Sequence, residues 1–205
     1  MTSKIHIPEL TLFGINAHDP EGLIRAAEIC QREIEFGAVN IITQRMFPGN
    51  SLEEGRIGYS EFMIKKLTNY FDTSHVLIIN NDAYIQNPWA WDKEWLNYDY
   101  CGPTWGYKDG LNCGNGGFSL RSKRLCNILA WDRNIMETHP EDHHICRTYR
   151  PYLEKRYGFK WATEEQANRF GIEAYGASAF PDGNKYSGQW GFHGPHVKGL
   201  PIPYR

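Results

Sequence analysis

From His75 to Asn80 the chain reads HVLIIN, in which Val76, Leu77, Ile78 and Ile79 follow one another with no polar residue between them. A run this short and this apolar fits a strand buried inside a sheet, and such a strand needs covering layers. The sequence ahead of it supplies strands and helices in alternation. LTLFGINA (10–17) is an apolar run that ends in small and polar residues. A helical pattern follows, with Asp19 as cap, Pro20 at the first helical position, and Leu23, Ala26, Ala27, Cys30 and Ile34 at helical spacing. AVNIITQR (38–45) reads as a second strand, and 46–58, with its glycines and proline, as a loop. Tyr59 and Ser60 then open a helix with Phe62, Met63, Leu67 and Tyr70 on its apolar face. Strand, helix, strand, helix, strand predicts an α/β sheet with right-handed crossovers.

With 205 residues, 41% of them hydrophobic, the chain is expected to form one domain, 1–205, around a substantial core. A net charge of -2 supplies no field to recruit nucleic acid or anionic lipid. No apolar run is long enough to span a bilayer, and MTSKIHIPEL lacks the apolar core of a signal peptide, so a cytoplasmic location is expected. Five cysteines without a CxxC pair argue against a disulfide framework and read as buried thiols. Tryptophan and tyrosine crowd into 84–107 and 149–204, where they serve either as core or as faces for sugars and bases.

Ligands of open α/β sheets sit beyond the carboxyl ends of the strands. Asn16, Ala17 and His18, then Gln44 and Arg45, then Asn80, Asn81 and Asp82 fall at such ends. An aspartate there is either a turn former or a ligand-facing acid. Further on, GLNCGNGGFSLRSKRL (110–125) sets Gly114, Gly116 and Gly117 around Asn115. Close glycines let backbone approach a ligand, or they mark a bulge. The pattern is not GxGxxG, and FSLRS reads as a strand, which excludes a phosphate-cradling loop opening a helix.

HPEDHHICRTYR (139–150) gathers the densest polar chemistry. Glu141 and Asp142 follow Pro140 and belong in a first helical turn, where acids are stabilised whether or not they react. Adjacent helical acids point apart, so one carboxylate acting alone as a base suits them better than a glycosidase pair. His139 and His143 are four apart, but Pro140 interrupts that face and no second zinc-ligand pair follows. Late in the chain, WGFHG isolates His193 between an aromatic and a glycine, as a packed residue or a ligand to metal or phosphate.

YSEFMIKKLTNYFDTSHVLIINND, PWAWDKEWLNYDYCGPTW, CGNGGFSLRSKRL, PEDHHICRTYR and WGFHG, taken in order, resemble a poorly characterised family of glycosyltransferase-like domains found in bacterial and viral sugar-assembly regions. The resemblance runs over roughly 8–198. More distantly it is similar to the GT-A nucleotide-sugar glycosyltransferases, which implies a Rossmann-like mixed sheet flanked by helices. It puts Asp82 at the last acid of a DxD motif, with Asn80 standing where the first acid would be. His193 resembles the late histidine of the metal shell, and Gly116 and Gly117 the segment beside the donor sugar. Asp142 resembles the catalytic base, with Glu141 holding an acceptor hydroxyl.

The resemblance thus implies transfer of a sugar from a nucleotide-diphosphate sugar, UDP-linked before GDP-linked, to a glycan or other hydroxyl acceptor. Mn²⁺ or Mg²⁺ is the implied cofactor, on an incomplete DxD. Tyr59, Lys65, Trp105, Asn115 and Arg147 join the strand-end residues as expected donor contacts, the cations stabilising the departing diphosphate. Three other classes stay open: a domain that binds nucleotide sugars or glycans without transfer, a hydrolase drawing on Glu164, Glu165 or Glu173, and a zinc-dependent structural module.

Overall fold

A computed structural model describes residues 3–45, 47, 51–173, 185–194, 197, 199 and 200. β1 (Ile5–Ile15), α1 (Pro20–Gln31), β2 (Ile34–Ile42), α2 (Leu52–Lys65) and β3 (His75–Ile79) form the alternating half. β4 (Ala83–Ile85), β5 (Tyr100–Cys101), β6 (Phe118–Ser122) and α3 (Lys123–Trp131) follow. α4 (Glu141–His143) runs on through a π-helical turn, His144–Thr148, into α5 (Arg150–Tyr157). α6 (Glu164–Phe170), β7 (Gly171–Glu173) and β8 (Gly191–His193) follow, and short 3-10 turns lie at Leu67–Tyr70, Pro88–Ala90 and Lys93–Asn97.

The larger sheet has the order β2-β1-β3-β6-β5. β1 pairs in parallel with β2 and β3, as the two crossovers require, whereas β6 runs antiparallel to both β3 and β5. A smaller sheet, β4-β8-β7, carries the last described strand. The fold is therefore a mixed α/β sheet flanked by helices. β3 explains the covering layers: Leu77 and Ile79 join the cluster of Leu10, Leu12, Leu23 and Ala27 against α1. Val76 and Ile78 join Phe13, Phe62, Met63 and Leu67 against α2.

Several sequence boundaries move. β1 starts at Ile5 rather than Leu10, and Leu67 and Tyr70, expected on the second helix, form a separate 3-10 turn beyond α2. Ile34, expected on the first helix, opens β2 opposite Ile5. It is buried in that place too, so periodicity alone could not separate the two positions. The expected loop 46–58 is helical from Leu52; residues 46 and 48–50 of it lie outside the described residues. Ser51 caps α2 by accepting from the Glu54 amide at 3.2 Å, and Glu53 and Glu54 occupy the first turn, which outweighs the two glycines behind them. Gly58 has a packing reason to be there, since a Cβ would stand 3.0 Å from Phe47 Cβ.

The described aromatic residues mostly serve the core. Trp91, Trp95, Phe118, Phe170 and Trp190 meet with ring centroids 5.0–5.7 Å apart and weld the two sheets together. Tyr175, Phe180 and Tyr204 of the second aromatic stretch lie outside the described residues. All five cysteines are buried and free.

Candidate active site

A cleft of about 600 Å³ opens beyond the carboxyl ends of β1 and β3, closed on one side by α2. Asn16, Ala17, His18, Arg45, Tyr59, Asn80, Asn81, Asp82 and His193 line it, joined by Ile15, Phe47, Gly55 and Arg56. Nine of the residues expected at a ligand site thus face one space, although they span most of the chain.

Local chemistry fixes its walls. Asn16 Oδ1 accepts from the His18 and Asp19 amides at 2.8 and 3.0 Å, which turns the chain off β1. Asn16 Nδ2 donates to Asn81 Oδ1 at 3.1 Å, and Asn81 Nδ2 donates to Asp19 Oδ2 at 2.8 Å, so both asparagines tie the β1 and β3 ends together as they line the cleft. The Asn81 bond, with the Gly22 amide, lowers the Asp19 pKa. Arg45 stands over the Phe62 ring at 4.7 Å and donates to Tyr70 Oη at 2.8 Å, so its guanidinium is held rather than free to swing. Burial, reinforced by the Glu141 charge, raises the Tyr59 hydroxyl pKa and keeps it a neutral donor.

Gly116 and Gly117 join the cleft to the acids. A Cβ on Gly117 would stand 2.2 Å from His193 Nε2, and one on Gly116 would stand 2.1 Å from Glu141 Oε1 and 3.4 Å from Asp142 Cβ. The histidine and the acid pair therefore flank the same dipeptide, and only glycine permits both approaches. Asn115, at φ 70, aims its carboxamide oxygen at the Gly117 and Phe118 amides, at 2.9 and 3.2 Å. Asp142 Oδ2 accepts from the Gly116 amide at 3.0 Å, and Oδ1 from the His143 amide at 2.8 Å.

His193 Nε2 faces Asp82 Oδ1 at 3.6 Å, and Nδ1 faces Glu173 Oε2 at 3.2 Å. Burial works against charge on this imidazole, but the Glu173 bond and the charges of Glu173, Asp82 and Asp142 outweigh it and raise its pKa. A carboxylate and an imidazole facing each other across a glycine fit a divalent cation in kind. Among the described residues no group of three or more His, Cys, Asp or Glu is arranged to hold a metal ion. Such an ion would thus depend on Asp82, His193 and oxygens of its own ligand.

Several expected contacts lie elsewhere. Lys65 Nζ donates to the Leu129 and Ile135 carbonyls at 2.8 and 2.6 Å, fastening α3 to α2 away from the cleft, and burial lowers its pKa. Arg147 is paired with Asp109 at 2.6 Å and lies over the Tyr107 ring at 3.8 Å. Trp105 packs on Gly114, whose Cβ would stand 2.1 Å from the indole, and Gln44 is exposed; neither lines the cleft. Glu141 does not reach outward to hold a hydroxyl: it turns into the core and pairs with fully buried Arg121 at 3.1 Å. Burial and the neighbouring Asp142 charge push its carboxyl up to about 7 against the pull of Arg121. Of the neighbouring histidines, His139 meets Ser60 Oγ at 2.9 Å and His144 Nε2 meets the His139 carbonyl at 2.9 Å.

Arg56 and Phe47 were missed. Arg56 lies one helical turn before Tyr59 and would have been found had Ser51 been read as the cap. Glu173 entered only as a hydrolase candidate, since nothing near it in sequence announces His193.

This arrangement is a GT-A-like fold with a polar cleft at the strand ends. One solved structure agrees in fold. A glycosyltransferase involved in the glycosylation of the major capsid of PBCV-1 aligns with a TM-score of 0.54 at 12% identity, over 90% of this chain and 92% of that one. Looser likenesses are a galactosyltransferase, LgtC, in complex with donor and acceptor sugar analogs (TM-score 0.44, 14% identity, 91% and 87%) and the apo-form glycosyltransferase GlyE of Streptococcus pneumoniae TIGR4 (0.47, 9%, 94% and 54%). No curated protein matches the sequence. Residues 42–193 match the model of DUF5672, described as a protein of unknown function, and the chain belongs to that family. Among the described residues no helix is long and apolar enough to cross a membrane.

Proposed function

We propose that the chain is a glycosyltransferase, acting as a single domain, that moves a sugar from a nucleotide-diphosphate sugar to a hydroxyl of a glycan or other acceptor. The observation that carries this reading is the convergence of the strand-end cleft, the Gly116–Gly117 dipeptide and Asp142. The cleft volume suits a nucleotide-sized ligand. Arg45 and Arg56 face the diphosphate, and Asn80 and Tyr59 offer neutral hydrogen bonds. Asp142, anchored by the Gly116 amide, takes the proton of the acceptor hydroxyl as its oxygen attacks the anomeric carbon from the side opposite the diphosphate, with inversion. Asp82 and His193 would hold Mn²⁺ or Mg²⁺, which supplies positive charge to the leaving diphosphate. Asn80 brings no charge where a second carboxylate would, so such a cation would be held weakly.

Purified protein incubated with UDP- and GDP-sugars, with and without Mn²⁺, is expected to release nucleotide in the presence of an acceptor. Asp142→Asn should lower that turnover about 10²- to 10⁴-fold while nucleotide binding, followed by calorimetry, stays intact. Unchanged turnover would remove Asp142 from the mechanism. Tight binding with no turnover by the unaltered protein would favour the second reading, a nucleotide-sugar or glycan-binding domain, which the neutral Asn80 also suits.

A further inference from the structure

Glu173 is one of the few acids in the core, 5% exposed, and strand register decides where it points. β7 pairs with β8 in parallel so that Glu173 lies opposite His193, while β4 on the other side sets Ala83 opposite the same histidine. The imidazole is thereby clamped: Gly117 lies against Nε2, Asp82 faces Nε2 at 3.6 Å, and Glu173 faces Nδ1 at 3.2 Å. We infer that Glu173 is a positioning residue: its carboxylate holds the Nδ1 proton of His193 and so turns Nε2 toward Asp82, the side on which a dication would be held.

A competitor sits on the same nitrogen. Asn115 Nδ2 is 3.0 Å from His193 Nδ1, and the two backbone amides on Asn115 Oδ1 fix the carboxamide in that sense. One ring nitrogen cannot accept from Asn115 and donate to Glu173 together. The bond to the carboxylate is charge-assisted and about twice as strong as a neutral one. Turning a lone pair toward a buried carboxylate costs more than leaving one amide hydrogen of Asn115 off the ring. Outer carboxylates of this kind fix the tautomer and orientation of metal-binding histidines. The dication half of the inference rests on the function proposed above; the tautomer half does not.

The test uses protein labelled with ¹⁵N-histidine, metal-free and at alkaline pH, where long-range ¹⁵N–¹H spectra distinguish the two neutral tautomers. The unaltered protein is expected in the Nδ1–H form, and Glu173→Ala in the Nε2–H form stabilised by Asn115. Glu173→Gln, which keeps shape and an acceptor oxygen but no charge, should give a mixture, and it carries the test where the alanine variant does not fold. Mn²⁺ affinity in the presence of UDP, read by electron paramagnetic resonance, should fall about 10- to 100-fold in Glu173→Ala and less in Glu173→Gln. An Nε2–H tautomer in the unaltered protein, or variants that keep both the Nδ1–H form and the Mn²⁺ affinity, would overturn the inference. Should the unaltered protein bind no dication, the metal part of the proposed function fails, and the tautomer spectra still decide the role of Glu173.

Discussion

Successive residues on a helical turn diverge by about 100°, so Glu141 and Asp142 send their carboxylates in different directions although both border Gly116. The sequence shows that divergence, and Pro140 places the pair at a helix start. It does not show which acid turns inward, because the deciding partner, Arg121, comes from β6 and is carried there by pairing with Val76 and Tyr100. Glu141 is consumed by that buried ion pair; Asp142 keeps an edge beside the glycines. Their substitutions should therefore separate. Glu141→Ala leaves a buried guanidinium without its carboxylate and should cost about 3–5 kcal/mol in a urea titration. Asp142→Asn retains an oxygen for the Gly116 amide and should unfold at nearly the same urea concentration as the unaltered protein. Equal losses in the two variants would mean that Asp142 is as structural as its neighbour.

Elements announce themselves through caps and periodicity, and α1 and β3 did so; α2 hid its first two turns behind Gly55 and Gly58, and with them Arg56. Its later face, Phe62 and Met63, was readable because it packs on β3 with the spacing of a helix, whereas Leu67, expected on the same helix, lies in the 3-10 turn after it. The link between α3 and α5 was not readable at all, since it depends on one acid between elements. Asp132 accepts from Tyr152 and Tyr157 of α5 at 2.7 and 2.8 Å and from the Asn134 amide at 2.8 Å. Burial would raise its pKa, but these bonds together lower it to about 2. A depressed carboxylate contributes stability above its unfolded value, about 4, and loses it as pH falls toward the folded value. Discounted for its partial exposure, the contribution is about 1 kcal/mol. Asp132→Asn should lose that much at neutral pH and show a flatter decline between about pH 4 and 2, measured as unfolding free energy at stepped pH.

At the scale of the molecule, the site is assembled from segments near 16, 45, 59, 82, 116, 142 and 193, and local pattern can mark each without showing that they meet. The α/β alternation was enough to bring 16, 45 and 82 to one sheet end, because parallel strands share a carboxyl side. Bringing in the rest required the antiparallel β6 and a second sheet of three-residue strands, too short to carry any period. Beyond the Gly117–His193 approach, that second sheet is wedged against β6: a Cβ on Gly191 would stand 2.1 Å from Phe118 Cζ, inside the aromatic cluster. Phe118 opens β6 directly after Gly117, and His193 lies two residues beyond Gly191 on β8, so crowding at this point pushes apart the walls of the corner where Asp82 and His193 meet. Gly191→Ala should cost about 1–3 kcal/mol through overpacking and should also weaken UDP–Mn²⁺ binding. Gly110→Ala supplies the comparison: its φ of +80 also disfavours a side chain, but nothing lies within 4 Å and it does not line the cleft. Thermal melts and calorimetry on the two variants should therefore show destabilisation in both and lost affinity in Gly191→Ala alone. A destabilised Gly191→Ala that binds the nucleotide and metal as tightly as the unaltered protein would mean that the aromatic seam holds the sheets together without governing where His193 stands.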